Sequence, residues 1–510
     1  MEDNKWDVVV VGGGPAGISA AIGASKEGAR VLLLDREPKL GGILKQCIHD
    51  GFGLEEYGKR LTGPEYAHYQ IEKLKETPVT LKVGSFVNEI RGSNGSFQIE
   101  FTNEEGVFAA TGKTVVLATG CRERTSKQVD IHGTRPKGVL TAGTAQHLVN
   151  LMGVLPGKKV VILGSGDIGL IMARRLTLEG AEVLGVYESQ SKPSGLPRNI
   201  KQCLEDFNIP LYLGKTVRRI LGSESIEAVE IVSTDRSVRG ACGSGRLGYL
   251  DESEVHEVER ESEVDEVEIV KCDCLILSVG LLPEKELADD LEIPTDASTN
   301  GPVCNENTCM TEKKGVFVCG NGKMVYDLVD HVSKDGYETG KMSALLALGK
   351  GDFGSEETVQ VTKVHDEEVK KGAKTSSHLG EKGEEVLTCL MCPNGCCLKI
   401  KMEGQTLVVQ GNKCPKGEGF AMAEITDPKR IVTTTVAVAN GMRPVVPVRT
   451  ETEVSKELLH DIVAAINEIC LEAPVNFGQV VAANVCGTGV DIVTTADCQR
   501  KVVEDHGQSL

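Results

Sequence analysis

The sequence predicts an α/β protein made of two parallel β-α-β units followed by a separate, small, cysteine-rich α+β module. Three observations carry this expectation. Two distant segments repeat one design of strand, glycine turn, helix and strand. Short apolar runs closed by glycine recur around them. A knot of cysteines opens the last part of the chain.

The first unit begins with the Val-rich strand Trp6–Val11, enters the turn Gly12-Gly13-Gly14-Pro15-Ala16-Gly17, and continues as an Ala-rich helix from Ile18 to Glu27. A second strand, Arg30–Leu34, ends in Asp35 and Arg36. The second unit repeats the plan with strand Lys159–Leu163, turn Gly164-Ser165-Gly166-Asp167-Ile168-Gly169, a helix to Glu179, and strand Glu182–Tyr187 ending in Glu188. Short turns between such elements imply parallel pairing with a right-handed crossover. Further buried strands are expected where Thr114–Ala118 runs into Thr119-Gly120, Cys274–Val279 into Gly280, and Gly315–Cys319 into Gly320-Asn321.

A single G-x-G-x-x-G turn is weak evidence of function, since glycine also serves simply to close a β-α unit. Here each copy follows a strand, opens a helix, and is answered by a carboxylate at the end of the next strand. The first glycine permits the tight turn, the second lets backbone approach a pyrophosphate, and the third lets helix pack on strand. The helix N-terminus offers free N–H groups to phosphates. Two Rossmann-like dinucleotide sites are therefore expected. At the second, Glu188 repels a 2′-phosphate and no Arg or Lys follows before Lys192, which favours NAD(H) over NADP(H).

Composition bounds the rest. The 510 residues are 40% hydrophobic and 25% charged, as in ordinary soluble proteins, and leave room for three or four domains. No apolar run reaches the roughly 18 residues of a membrane span. The first strand starts too early for a signal peptide, so a cytoplasmic protein is expected. A net charge of -18 argues against nucleic-acid binding. In a reducing compartment, the clustered members of 17 cysteines suggest metal binding or catalysis rather than disulfides.

From Asp7 to Leu346 the chain resembles the flavoprotein family with two dinucleotide domains that includes glutathione reductase-like disulfide reductases and NADH oxidases. The resemblance implies an FAD domain into which the NAD domain is inserted. FAD would meet Gly12, Gly14, Pro15, Ala16, Gly17, Asp35, Arg36, Gly42, Thr119, Gly120, Gly320 and Asn321, and Gly280 is a further cofactor-binding position. The nicotinamide nucleotide would meet Gly164, Gly166, Asp167, Ile168, Gly169 and Glu188. Asn321 stands where the family usually has Asp, and its amide can still hydrogen-bond the ribityl chain.

After Gly41-Gly42 a disulfide reductase would carry a spaced cysteine pair. This chain has Cys47 alone, and it lacks the reductases' dimerisation domain, so disulfide reduction is not expected. Cys47 is either a redox partner of the flavin or a merely neighbouring thiol. The strings 41–49, 120–125 and 135–146 narrow the resemblance to the NADH-linked flavoprotein encoded beside anaerobic glycerol-3-phosphate or 2-hydroxyglutarate dehydrogenases. Similar strings occur in subunits of sarcosine and opine oxidases. A partner flavin dehydrogenase subunit of glycerol-3-phosphate or 2-hydroxy-acid type is implied.

In the C-terminal module, Cys389, Cys392 and Cys396 precede Cys414-Pro415. This C-x2-C-x3-C…C-P pattern suits a [4Fe-4S] cluster, while four cysteines also satisfy tetrahedral zinc. Cys397 competes with Cys396 as third ligand. The segment resembles the iron–sulfur segment of molybdopterin oxidoreductases, and through Val485–Asp491 a cysteine-rich family of unknown function. The expected domains are 1–150 and 281–350 for FAD, 151–280 for the nicotinamide nucleotide with an acidic insertion at 251–268, a linker at 351–385, and the module at 386–510. These features predict electron transfer between NADH and a partner or acceptor through flavin and cluster. The alternatives are a free-standing NADH oxidase with a structural zinc module and a non-catalytic redox sensor.

Overall fold

The computed structural model describes residues 4–93, 95–234, 267–350, 384–403 and 406–501. Most of the expected acidic insertion and linker lies outside the described residues. The strand Glu268–Lys271 closes the first of these segments, and the strand Glu384–Thr388 begins within the second.

Lys5–Val11 sits in the middle of the first sheet, parallel to Val31–Leu34 on one side and to Gly106–Leu117 on the other. Val8, Val9 and Val10 are all fully buried because both faces of the sheet are covered, which is why the strand reads as a continuous apolar run. The long strand Gly106–Leu117 pairs antiparallel with Ser96–Asn103 early in its course and parallel with Val316–Val318 near its end. That last pairing returns the chain to the sheet it left. The helices Pro15–Lys26 and Val329–Ala347 cover one face. They approach so closely that a Cβ at Gly336 would lie 2.2 Å from the Ala16 carbonyl oxygen, and one at Gly340 2.0 Å from that of Ala20.

The second sheet is wholly parallel, in the order Val139–Thr141, Cys274–Leu277, Lys159–Leu163, Glu182–Glu188, Leu211–Leu213. Strand Val139–Thr141 and helix Ala142–Met152 thus belong to the second body, although the sequence places the end of the first segment at residue 150. Three residues are too few for a strand pattern to show. An antiparallel ribbon of Cys121–Glu123 with Leu281–Pro283 carries the chain between the two bodies.

The C-terminal module has two parts. Glu384–Thr388, Cys397–Glu403 and Thr406–Gln410 form an antiparallel sheet backed by helix Pro415–Thr426. Beyond it a five-stranded sheet packs on helix Leu459–Asn467, whose Leu459, Ile462, Val463 and Ile466 share one buried face. Leu178 of the second body joins the core of that sheet.

Candidate functional site

The three glycines of the first turn divide the work as the sequence leads one to expect. Gly12 has φ +108°, and a Cβ there would meet the Ala118 carbonyl oxygen at 2.3 Å. A Cβ on Gly17 would lie 1.7 Å from the Gly12 oxygen. Gly14 differs: its nearest neighbour would be the Gly42 Cα at 4.0 Å. The open position heads the helix Pro15–Lys26, whose N-terminus is capped by no side chain. The Gly14 and Gly42 backbones lie against each other, a Cβ on Gly42 coming within 3.0 Å of the Gly14 Cα, and this side-chain-free surface beside uncapped N–H groups suits a pyrophosphate.

Asp35 is buried at the end of the neighbouring strand, accepting from the Gly13 amide at 2.6 Å and the Glu37 amide at 2.8 Å. Burial pushes its carboxyl pKa up. Arg36 is exposed beside it. Thr119 Oγ1 donates to the Glu284 carbonyl at 2.6 Å, and the Glu284 amide donates to Gly120 O, tying this turn to the ribbon between the bodies. Gly280, φ +101°, is bonded through its carbonyl to the Arg124 amide. On the return segment a Cβ on Gly320 would come within 2.6 Å of the Ala16 Cβ, and the Gly320 amide donates to Asp335. The Asn321 amide is held in place, accepting from the Tyr326 N–H at 3.1 Å and donating toward Cys121 Sγ at 3.6 Å.

The second turn repeats this division. Gly164, φ +97°, and Gly169 are pressed against Ser278, whereas a Cβ on Gly166 would meet nothing closer than 3.4 Å. The helix beginning at Asp167 has no side-chain cap either. Ile168 packs at the edge of the core on its first turn. Glu188 Oε2 accepts from the Ser165 amide and hydroxyl, and Oε1 from the Gln190 amide. Burial works to raise its pKa, but these bonds outweigh it and hold the carboxylate below the usual range. Asp167 faces away from the turn, accepting from the Leu196 amide and Asn199 Nδ2, both at 2.8 Å.

Cys47 is buried, with its Sγ 3.6 Å from Gln146 Oε1, and burial pushes the thiol to about 12. It is a protonated thiol at neutral pH. Gln46 beside it donates to the Gly143 carbonyl and to Gln146, and Asn150 donates to the Gln46 carbonyl. Neither this amide cluster nor Ser278 was assigned a role from the sequence. The one signal was the glutamines' place in distinctive strings.

At the C-terminal cysteines, the Cys389 amide donates to the Cys396 carbonyl at 2.9 Å and closes the loop. Gly395 turns that loop with φ +52°. Cys414 caps the helix Pro415–Thr426. Burial raises the Cys389 pKa, and Cys392, Cys396 and Cys414 are near enough to raise it further. The four side chains share a neighbourhood, while exposed Cys397 opens a strand. Among the described residues, no three His, Cys, Asp or Glu side chains are gathered closely enough to hold a metal ion. The donor chemistry suits iron–sulfur or zinc; a closed set of ligands is not formed.

Residues 6–336 match the profile of the pyridine nucleotide-disulphide oxidoreductases. The chain belongs to that family. Its members are FAD-dependent oxidoreductases that bind FAD and a pyridine nucleotide. Residues 415–496 match a second profile, described only as a protein of unknown function, DUF1667, which starts just after Cys414.

One subunit of the opine oxidase of Agrobacterium tumefaciens (strain Ach5) is 25% identical over 366 residues, 67% of this chain and 65% of that protein. Hydrogen cyanide synthase subunit HcnB of Pseudomonas protegens is 31% identical over 209 residues, 40% of this chain and 41% of that protein. The chain thus spans less than two thirds of the length of these curated relatives. Thioredoxin reductase of Lactococcus lactis aligns with 68% of this chain and 99% of its own, at 19% identity and a TM-score of 0.52, a likeness of fold. From residue 122 to 202 this chain has no cysteine, and between Gly42 and Cys121 it has Cys47 alone.

Proposed function

We propose that the protein is the nicotinamide-linked flavoprotein subunit of an electron-transferring assembly, exchanging electrons between NADH and a partner dehydrogenase subunit of glycerol-3-phosphate or 2-hydroxy-acid type. The observation that carries this reading is the pair of open glycines, Gly14 and Gly166, each heading an uncapped helix and each answered by a buried carboxylate. Two relatives, one a subunit of opine oxidase and the other of hydrogen cyanide synthase, support a partner.

Bound FAD supplies the chemistry of accepting a hydride and releasing electrons singly or in pairs. The chain's own residues position and exclude. Gly12 and Gly17 set the turn so that Gly14 presents backbone to the flavin pyrophosphate. Gly166 does the same for the nicotinamide nucleotide. Glu188, kept ionised by its hydrogen bonds, accepts from ribose hydroxyls and repels a 2′-phosphate, which favours NADH. Asn321 is steadied by Tyr326 to face the ribityl chain. Cys47 contributes a neutral thiol among amides. Cys389, Cys392, Cys396 and Cys414 supply the thiolate donors a [4Fe-4S] cluster needs, and they would have to draw together to hold one.

Anaerobic titration of the purified chain with NADH, with iron and zinc analysis, tests the whole reading. The flavin band should bleach with NADH well before NADPH, and iron should accompany it. Failure of NADH to bleach the flavin would mean a non-catalytic nucleotide-binding protein. Rapid oxygen consumption by a zinc-loaded chain would point instead to a free-standing NADH oxidase.

A further inference from the structure

Asp50 and Arg60, from the segment after the first glycine turn, meet Arg198 of the nicotinamide body, which the cysteine loop abuts at Pro197. A Cβ on Gly51 would strike Arg198 Nη2 at 2.1 Å, and one on Gly395 would lie 3.0 Å from the Pro197 Cβ. Arg198 is only 6% exposed, yet neither Nε nor Nη1 has a hydrogen-bond partner among the described residues. His49 Nδ1 beside it is buried without one as well.

The nearest carboxylates are committed elsewhere. Asp50 Oδ2 lies 2.6 Å from Arg60 Nε, and Asp167 Oδ1 accepts from Leu196 and Asn199. Arg174, also buried, gives Nη2 to the Ile431 carbonyl. Arg60, Arg198 and Arg174 all bear on the Asp50 carboxylate, and Arg60 has a second partner in Glu453, 3.0 Å from its Nη1. A buried cation with unmatched donors is costly, and an anion that supplies both charge and several acceptors removes the cost. Arg60 also lines a neighbouring cavity of about 420 Å³, together with Ile431, Arg449, Lys429, Thr452 and Glu453.

We propose that this junction binds a small oxyanion, a carboxylate or phosphate group, with Arg198 as its principal ligand and Arg60 and His49 beside it. The site lies where the flavin segment meets the nicotinamide body, with Asp167 of the second glycine turn near Arg198 and Gly395 of the cysteine loop against Pro197. Its ligand therefore joins the flavin segment to the nicotinamide body and stabilises their docked arrangement.

The test uses the FAD-loaded full chain, titrated with inorganic phosphate or with acetate at ionic strength held constant by sodium chloride. The thermal midpoint should rise saturably by several degrees with at least one probe, and which probe acts tells phosphate from carboxylate. Arg198→Met should abolish the rise, and Arg198→Lys should keep part of it. A midpoint indifferent to both anions overturns the proposal, as does an undiminished response in Arg198→Met. Loss of the phosphate effect at saturating NAD+ also overturns it, because Arg198 would then serve the nucleotide. If Arg198→Met does not fold, the unsubstituted chain and Arg198→Lys decide the matter.

Discussion

Gly14 and Gly17 stand three residues apart and answer to different demands. A methyl group on Gly17 would be driven into the Gly12 carbonyl, whereas one on Gly14 would project into the cleft. Gly17→Ala should therefore destabilise the fold by about 3 kcal/mol or more. Gly14→Ala should leave the thermal midpoint of the apoprotein within a degree or so while FAD is lost on gel filtration. Equal effects of the two substitutions on stability would contradict this division. His49 offers a second test at this scale. Burial, helped by repulsion from Arg198 and Arg174 and opposed by Asp50, pushes its imidazole down to about 4. In the unfolded chain a histidine titrates near 6.5, so between those values the unfolded state binds more protons. Stability is then lost as pH falls from about 6.5 toward 4, by an amount on the order of 3 kcal/mol, and levels off below. A pH series of thermal midpoints should slope more steeply for the natural chain than for His49→Asn; parallel slopes would refute the assignment.

At the level of elements, sequence period and turn chemistry located the strands whose glycines build the clefts. They did so because buried parallel strands are apolar throughout and end at residues with unusual φ. What they missed has a common cause. Ser278, Gln146 and Arg198 matter through segments that meet only in the folded chain; Cys47 and Gln146 are 99 positions apart. Nothing local marks such a residue. The Val139–Thr141 strand was missed because it is short, and with it the point where the chain enters the second body. Arg430 belongs with these distant contacts. It is 4% exposed and bridges Asp206 of the second body to Glu424 of the Pro415–Thr426 helix, at 2.7 Å each. Arg430→Met would leave the buried Glu424 carboxylate without its partner and Asp206 with Lys456 alone, at a cost of about 3–5 kcal/mol. Limited proteolysis should then release the C-terminal module first. A cleavage pattern identical to that of the natural chain would show that the bridge does not hold the module.

Across the whole molecule, the module is an integral part of the packing. Leu178 lies in its core, Phe207 packs against it, and Arg174 is satisfied by its Ile431 carbonyl. Deleting residues 384–501 should uncover this surface and cause self-association, seen as larger species in light scattering, while the first glycine cleft still retains FAD. A monodisperse truncated chain with unchanged stability would argue against this. No helix among the described residues is long and apolar enough to cross a membrane.

The module also grips both bodies. Glu453 pairs with Arg60 and Arg449 with Glu65 on the flavin side, while Arg430 and Ile431 hold the nicotinamide side. A thin ribbon at Cys121–Glu123 and Leu281–Pro283 would by itself be a swivel. With the module acting as a splint across that swivel, rotating one body against the other means breaking the ion pairs on one side or the other, those of Arg430 being buried. Turnover should then proceed in a fixed pose, and catalysis should survive crosslinking of Arg60→Cys to Glu453→Cys.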